Sequence, residues 1–154
     1  MRLRLIWVGK TKNEHMRALL NDYSLRLGRF VRCEVTELRE SASKDARAVV
    51  AEEGRRIADA LGAESVLVLL DVEGERRWSS PELAAQVERW QSEGKKEIAF
   101  VIGGHLGVAP ELKARATVRW SLSRLTLTHE MARVVLVEQL YRAYTIIHGL
   151  PYQK

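Results

Sequence analysis

Glu97-Ile-Ala-Phe-Val-Ile102 runs directly into Gly103-Gly104-His105-Leu106-Gly107. After its first acid this run carries no polar side chain. A strand of that kind needs cover on both faces, as the central strands of parallel sheets have. Ser65-Val-Leu-Val-Leu-Leu-Asp71 has the same character and closes on an acid. Around these two runs the period changes to that of helices. From Asn13, the apolar residues Met16, Leu19, Leu20, Tyr23 and Leu27 follow helical spacing, with Gly28 after them. Ala46, Val49, Val50, Ile57 and Leu61 mark a second helix. Ser79-Ser80-Pro81-Glu82 is a helix start, with serine caps, an early proline and an early acid, leading into Leu83, Ala84, Val87 and Trp90. Residues 2–8 and the alternating Val31, Cys33 and Val35 read as further strands. Pro110 to Ala116 is a short helix, Arg119 to Leu122 a short strand, and His129 to His148 a long helix ended by Gly149. This alternation predicts one α/β domain over residues 1–154, built on a mainly parallel sheet flanked by helices.

Composition narrows the function classes. The chain is 46% hydrophobic and 29% charged over 154 residues, enough to bury a core without a disordered tail. The longest apolar run, Val66 to Leu70, is far too short to span a bilayer. Residues 1–5 resemble a strand start more than a signal peptide, so the expected location is cytoplasmic. Cys33 is the one cysteine, which excludes an intrachain disulfide and reads as a core thiol. His15, His105, His129 and His148 lack metal-ligand spacing, so no metal site is expected. The net charge of +5 is unevenly placed: +4 over residues 1–40, −3 over 41–99 and +4 over 100–154. Ends brought together by the fold would form a positive surface suited to phosphate; otherwise they are a solvated basic surface.

Four places could carry chemistry. Gly103-Gly104-x-x-Gly107 follows a buried strand, where open α/β sheets bind ligands. It lacks the pattern of a dinucleotide fingerprint or a phosphate loop. It is either a close backbone approach to a ligand or a plain tight turn. Leu70-Asp71 should lie beside it, with Asp71 read as a turn cap in preference to a ligand acceptor. Trp120-Ser-Leu-Ser-Arg-Leu-Thr-Leu-Thr-His129 is an apolar loop expected to pack inside. Its backbone groups then need partners, which an adenine edge or the loop itself could supply. The last helix is apolar nearly all round, which suggests the sheet on one side and a second subunit on the other. Within it, Glu138 and Arg142 form an i, i+4 pair. Arg133 has Glu130 three residues before it and is a candidate for phosphate or substrate contact.

In this order and spacing, the residues resemble the bacterial 23S ribosomal RNA (pseudouridine-N3)-methyltransferase family of the SPOUT class. The matching stretches are Leu3-x-Leu-Ile-x-Val-Gly9, Leu69-Leu-Asp71, Phe100-Val-Ile-Gly-Gly-x-x-Gly107, Trp120-Ser-Leu-Ser-x-Leu-Thr-Leu127, Arg133-Val-Val-Leu-Val-Glu-Gln-Leu-Tyr-Arg-Ala143 and Pro151-Tyr152. The likeness spans essentially the whole chain. It implies a C-terminal trefoil knot, a feature that periodicity cannot give because knots are exceptions to chain topology. It implies S-adenosyl-L-methionine as cofactor, held by Leu70, Gly103 and the run Leu122, Ser123, Arg124, Leu125, Thr126 and Leu127. It further implies a homodimer in which each site is completed by the partner, acting on 23S rRNA in the assembled ribosome. Tyr152 and the Lys154 end are expected at the substrate, with Arg133, Arg142 or His129 steering phosphate or the base's carbonyls. No residue stands out as the general base. The tail departs from the family's Tyr-His-basic ending, reading Tyr152-Gln153-Lys154, and Thr128-His129 stands where Pro-His is usual. Two rival readings remain: a methyltransferase of the same fold with another RNA or protein substrate, and a non-catalytic ribosome- or RNA-binding module. The latter has no need of the glycine turn and the apolar loop.

Overall fold

The computed structural model of the chain describes residues 1–152. Five strands alternate with five helices: β1 (Arg2–Val8), α1 (Glu14–Leu27), β2 (Arg32–Leu38), α2 (Ala46–Ala60), β3 (Val66–Leu70), α3 (Ser80–Ser92), β4 (Glu97–Ile102), α4 (Pro110–Arg115), β5 (Val118–Trp120) and α5 (His129–Ile147). The strands form one sheet in the order β2-β1-β4-β3-β5, every pair parallel. The two continuous apolar runs are central, and every residue of β4 is buried.

Strand alternation divides the core into two layers. Leu3, Leu5, Trp7, Val66, Val68, Ile98 and Phe100 face α1, α3 and α5. Ile6, Val8, Leu67, Leu69, Ala99 and Val101 face the other way, onto Ile57 of α2 and Leu112 of α4. Helix starts are chemically marked. Asn13, Asp45 and Thr128 cap α1, α2 and α5, and Ser79 forms a reciprocal capping box with Glu82. Cys33 is partly buried against the core, which pushes its thiol up to about 12.

Two elements differ from the sequence reading. β5 is shorter and earlier than Arg119 to Leu122, because Ser121 leaves the ladder: its N–H donates to Arg76 O and its Oγ donates to Ser123 O. The apolar circumference of α5 is largely covered within the chain, by the sheet and by α1 and α3 on its flanks.

The path from β5 to α5 positions the site. β5 lies at one sheet edge, beside β3. α5 begins beyond β1, where Glu130 Oε1 accepts from Asn13 N and Arg133 donates to Val8 O. Residues 121–128 therefore return across the C-terminal ends of β3 and β4. This path is consistent with the knot that the resemblance implies.

Candidate functional site

Three loops meet beyond the C-terminal ends of β3, β4 and β5 and enclose a cleft of about 380 Å³. This volume falls within the usual range for small-molecule sites. Leu70, Gly103, Leu122, Ser123, Leu125, Leu127 and His129 all line it; Arg124 and Thr126 belong to the same loop but not to the wall. Arg133, Arg142 and Tyr152 are also absent from the wall. The sequence-derived candidates thus separate into a cleft group and a second group elsewhere on α5 and the tail.

The glycine turn is built by packing inside the protein. Gly107 N donates to Gly104 O at 3.0 Å, and Gly107 has φ +96°, in the left-handed region. A Cβ on Gly103 would overlap Val108 Cγ2, and one on Gly104 would overlap the buried carboxylate of Glu53. The nearest demands on these two glycines come from the chain's own side chains.

Asp71 caps its turn. Its Oδ1 accepts from Glu73 N at 3.0 Å, while Oδ2 accepts from Arg119 Nη2 at 2.7 Å and Nε at 3.1 Å. Burial pushes the Asp71 carboxyl up. The Arg119 and Glu73 hydrogen bonds, with Lys113 and Arg119 charge nearby, outweigh burial and hold it below the usual carboxylate range.

The apolar loop is more open than its sequence suggests. Leu125 is 74% exposed, and Val72 and Leu106 on the neighbouring loops are also exposed. Among the described residues, the 122–127 backbone makes two hydrogen bonds: Leu125 N to Ser123 Oγ, and Ser121 Oγ to Ser123 O. Its other donors and acceptors have no partner among the described residues. Trp120, which also lines the cleft, is buried with its indole N–H unpaired. A cleft with apolar walls and unpaired backbone groups suits a flat heterocycle with a polar edge.

Arg133 is placed differently from the sequence expectation. It is 3% exposed, so it has almost no surface with which to reach a phosphate. Its Nη1 donates to Thr11 Oγ1 at 2.9 Å, its Nη2 to Val8 O at 2.7 Å, and its guanidinium lies over the Trp7 ring. Glu37, 3.8 Å away, is its ionic partner; Glu130 is bonded to Asn13 N instead. Burial pulls the Arg133 pKa down, opposed by Glu37, Glu130 and Glu40. The geometry makes Arg133 a brace between α5 and the β1–α1 turn.

Glu37 completes that brace by accepting from Trp7 Nε1, Thr11 N and Thr11 Oγ1. Burial raises its carboxyl, but these bonds and Arg133 outweigh burial and leave it below its ordinary value. The folded protein therefore binds this proton more weakly than the unfolded chain does. The stabilisation is complete above the ordinary carboxylate value of about 4.3 and is lost as pH falls through the lower folded value. Melting temperatures of wild type and Glu37→Gln should differ most at neutral pH and converge in acid. A difference independent of pH would contradict this role.

Tyr152, Arg142 and Glu138 form the second group. Glu138 Oε1 accepts from Arg142 Nη2 at 2.5 Å, from Arg142 Nε at 3.0 Å and from Tyr152 Oη at 2.9 Å. Tyr152 packs edge-on against Tyr141 and reaches Tyr23 Oη at 3.2 Å, with the Arg142 guanidinium 4.8 Å from its ring centre. Burial, then the Tyr23 and Glu138 hydrogen bonds, push the Tyr152 phenol up. None of the three lines its own chain's cleft; along α5, Glu138 lies about 9 Å, at ~1.5 Å per residue, beyond Ala132, the last helix residue in the cleft wall. Sequence reasoning paired Glu138 with Arg142 but missed Tyr23 and the link to Tyr152, which cross from α5 to α1 and the tail. It also missed Lys113, a cleft-lining residue that sits in no motif. Lys154 and Gln153 lie outside the described residues.

Among the described residues there is no group of three potential metal-ligating side chains, and no helix is long and apolar enough to cross a membrane. Comparison with known proteins gives the class. Residues 1–153 match the family model described as predicted SPOUT methyltransferase, and the chain belongs to that family. Its relatives narrow the class further. The chain is 43% identical over 152 residues to the ribosomal RNA large subunit methyltransferase H of Geotalea daltonii, covering 99% of both chains. It is likewise 43% identical over 152 residues to the protein of that name from Geobacter sulfurreducens, again covering 99% of both. The protein of that name from Limosilactobacillus reuteri is 38% identical over 160 residues, covering 100% of both chains. Among solved structures, the SpoU methyltransferase AviRb from Streptomyces viridochromogenes, in complex with AdoMet, gives a TM-score of 0.49 at 13% identity. That match covers 93% of this chain and 58% of AviRb, a similarity too remote to bear on function.

Proposed function

We propose that the protein is an S-adenosyl-L-methionine-dependent methyltransferase that modifies N3 of a pseudouridine in 23S rRNA within the assembled ribosome, in the cytoplasm. The relatives' shared name, as ribosomal RNA large subunit methyltransferases, supports the substrate class. One structural observation carries the cofactor: the cleft beyond β3 and β4 is walled by Leu122, Leu125 and Leu127, whose own loop leaves most of its backbone groups free. The leucines fit the flat faces of an adenine, and the backbone groups its polar edge. Leu70 and the turn at Gly103 would close the far side. When bound, S-adenosylmethionine supplies an activated methyl group.

The chain's own contribution is positioning, which holds the acceptor nitrogen in line and excludes competing geometries. His129 stands at the cleft wall, where it can meet a base or its phosphate. Glu138 fixes the orientation of Tyr152 and Arg142, so this pair presents a phenol and a guanidinium as one rigid surface. That this surface lies outside the wall of its own chain's cleft supports a homodimer in which the Tyr152 group of one protomer completes the cleft of the other. The exposed Val72, Leu106 and Leu125 around the cleft supply apolar surface for such a contact.

Calorimetric titration with S-adenosylmethionine tests this reading. Saturable binding near one cofactor per chain or per dimer is expected. No binding, even with ribosomes present, would leave an RNA-binding module of the same fold.

A further inference from the structure

Among the described residues that line the cleft, Lys113 is the one lysine or arginine. It projects from α4 toward the wall formed by Asp71, and its Nζ lies 4.0 Å from Asp71 Oδ2. That distance is beyond a hydrogen bond. Asp71 has little need of it, because Oδ2 already accepts two bonds from Arg119 and Oδ1 accepts from Glu73 N. The Lys113 side chain remains 38% exposed. The cleft therefore holds a cation whose nearest acid is already neutralised by another residue.

We propose that the Lys113 ammonium receives the carboxylate of the cofactor's amino-acid end. This rests on S-adenosylmethionine being the ligand of the cleft. The remaining walls are suited to other parts of such a molecule: leucines and free backbone for the heterocycle, and the glycine turn for the segment between. The carboxylate is the ligand's one anionic group, and Lys113 is the one basic side chain among the described residues of the cleft wall. The Asp71–Arg119 pair holds the wall that faces Lys113, while Glu73 is exposed and in no ion pair among the described residues. A partly exposed, charge-assisted contact of this kind is worth on the order of tenfold in affinity.

The test compares S-adenosylmethionine with decarboxylated S-adenosylmethionine, which lacks only that carboxylate, by calorimetry on wild type, Lys113→Gln and Lys113→Arg. Wild type is expected to bind the carboxylated ligand about tenfold more tightly than the other. Lys113→Gln should lose that preference while binding the decarboxylated ligand as wild type does, and Lys113→Arg should retain it. A general defect of the cleft would weaken both ligands equally, and that result would overturn the proposal. An unchanged preference in Lys113→Gln would overturn it too. Failure of wild type to bind either ligand would overturn the cofactor reading itself, and the Lys113 assignment with it.

Discussion

Gly103→Trp should weaken S-adenosylmethionine binding by more than about 100-fold, a loss of roughly 3 kcal/mol at ~1.4 kcal/mol per decade. The position is tight: even a Cβ would overlap Val108 Cγ2 on the far side of the same turn, so a neighbour must shift. An indole there needs the 103–108 turn to open, and residues of that turn wall the cleft. The strand before it is anchored by pairing to β1 and β3, so the sheet should survive. Gly103→Ala adds only the overlapping Cβ and should give an intermediate loss. A cooperative melt in both variants would confirm folding. Cofactor affinity within a few-fold of wild type in Gly103→Trp would show that the turn is not part of the binding site.

Glu138→Ala should lower methyl transfer about 100-fold with cofactor affinity unchanged, the scale expected when positioning is lost by an ångström or so. Glu138 is the common acceptor for Arg142 and Tyr152, and its removal takes away the carboxylate that aligns the two side chains. None of Glu138, Arg142 and Tyr152 lines the cleft, which keeps its walls. Unaltered turnover would remove the Tyr152 group from the reaction. The two variants together test whether sites are shared between protomers. A mixed dimer of Gly103→Trp and Glu138→Ala chains contains one site with an intact cleft and an intact tail group. Recovery of activity on mixing is the expected result, and two inactive variants that stay inactive when mixed would contradict a composite site.

The sheet was legible because β3 and β4 carry continuous apolar runs that have no stable place outside a covered parallel sheet. β5 was less so. Its three residues are strand only because β3 offers them an edge, and Ser121 leaves the ladder for contacts with Arg76 and Ser123 that no local pattern announces. The leucines of the 122–127 loop line the cleft, but their sequence suggested burial where the single chain leaves Leu125 open. Arg133 shows the limit of helical spacing. Glu130, three residues before it, is a plausible local partner, yet its actual partners Thr11, Val8 and Glu37 are brought in from the far end of the chain. The all-round apolarity of α5 has a similar lesson. A pattern that suggested a second subunit is met largely by α1 and α3, and the case for a dimer rests instead on the absence of the Tyr152 group from the wall of its own cleft. Lys113 was invisible because a lone lysine on a short helix has no signature until Asp71 and Arg119 are seen beside it.

The most direct test of the account is methyl transfer itself. Purified protein, S-adenosylmethionine labelled on its methyl group and ribosomes lacking the modification would be combined, and the 23S rRNA digested and analysed by mass spectrometry. Label is expected on a single pseudouridine, at N3, and none when that position is an unmodified uridine. Label on a different nucleotide, on protein, or nowhere in the presence of bound cofactor would contradict it.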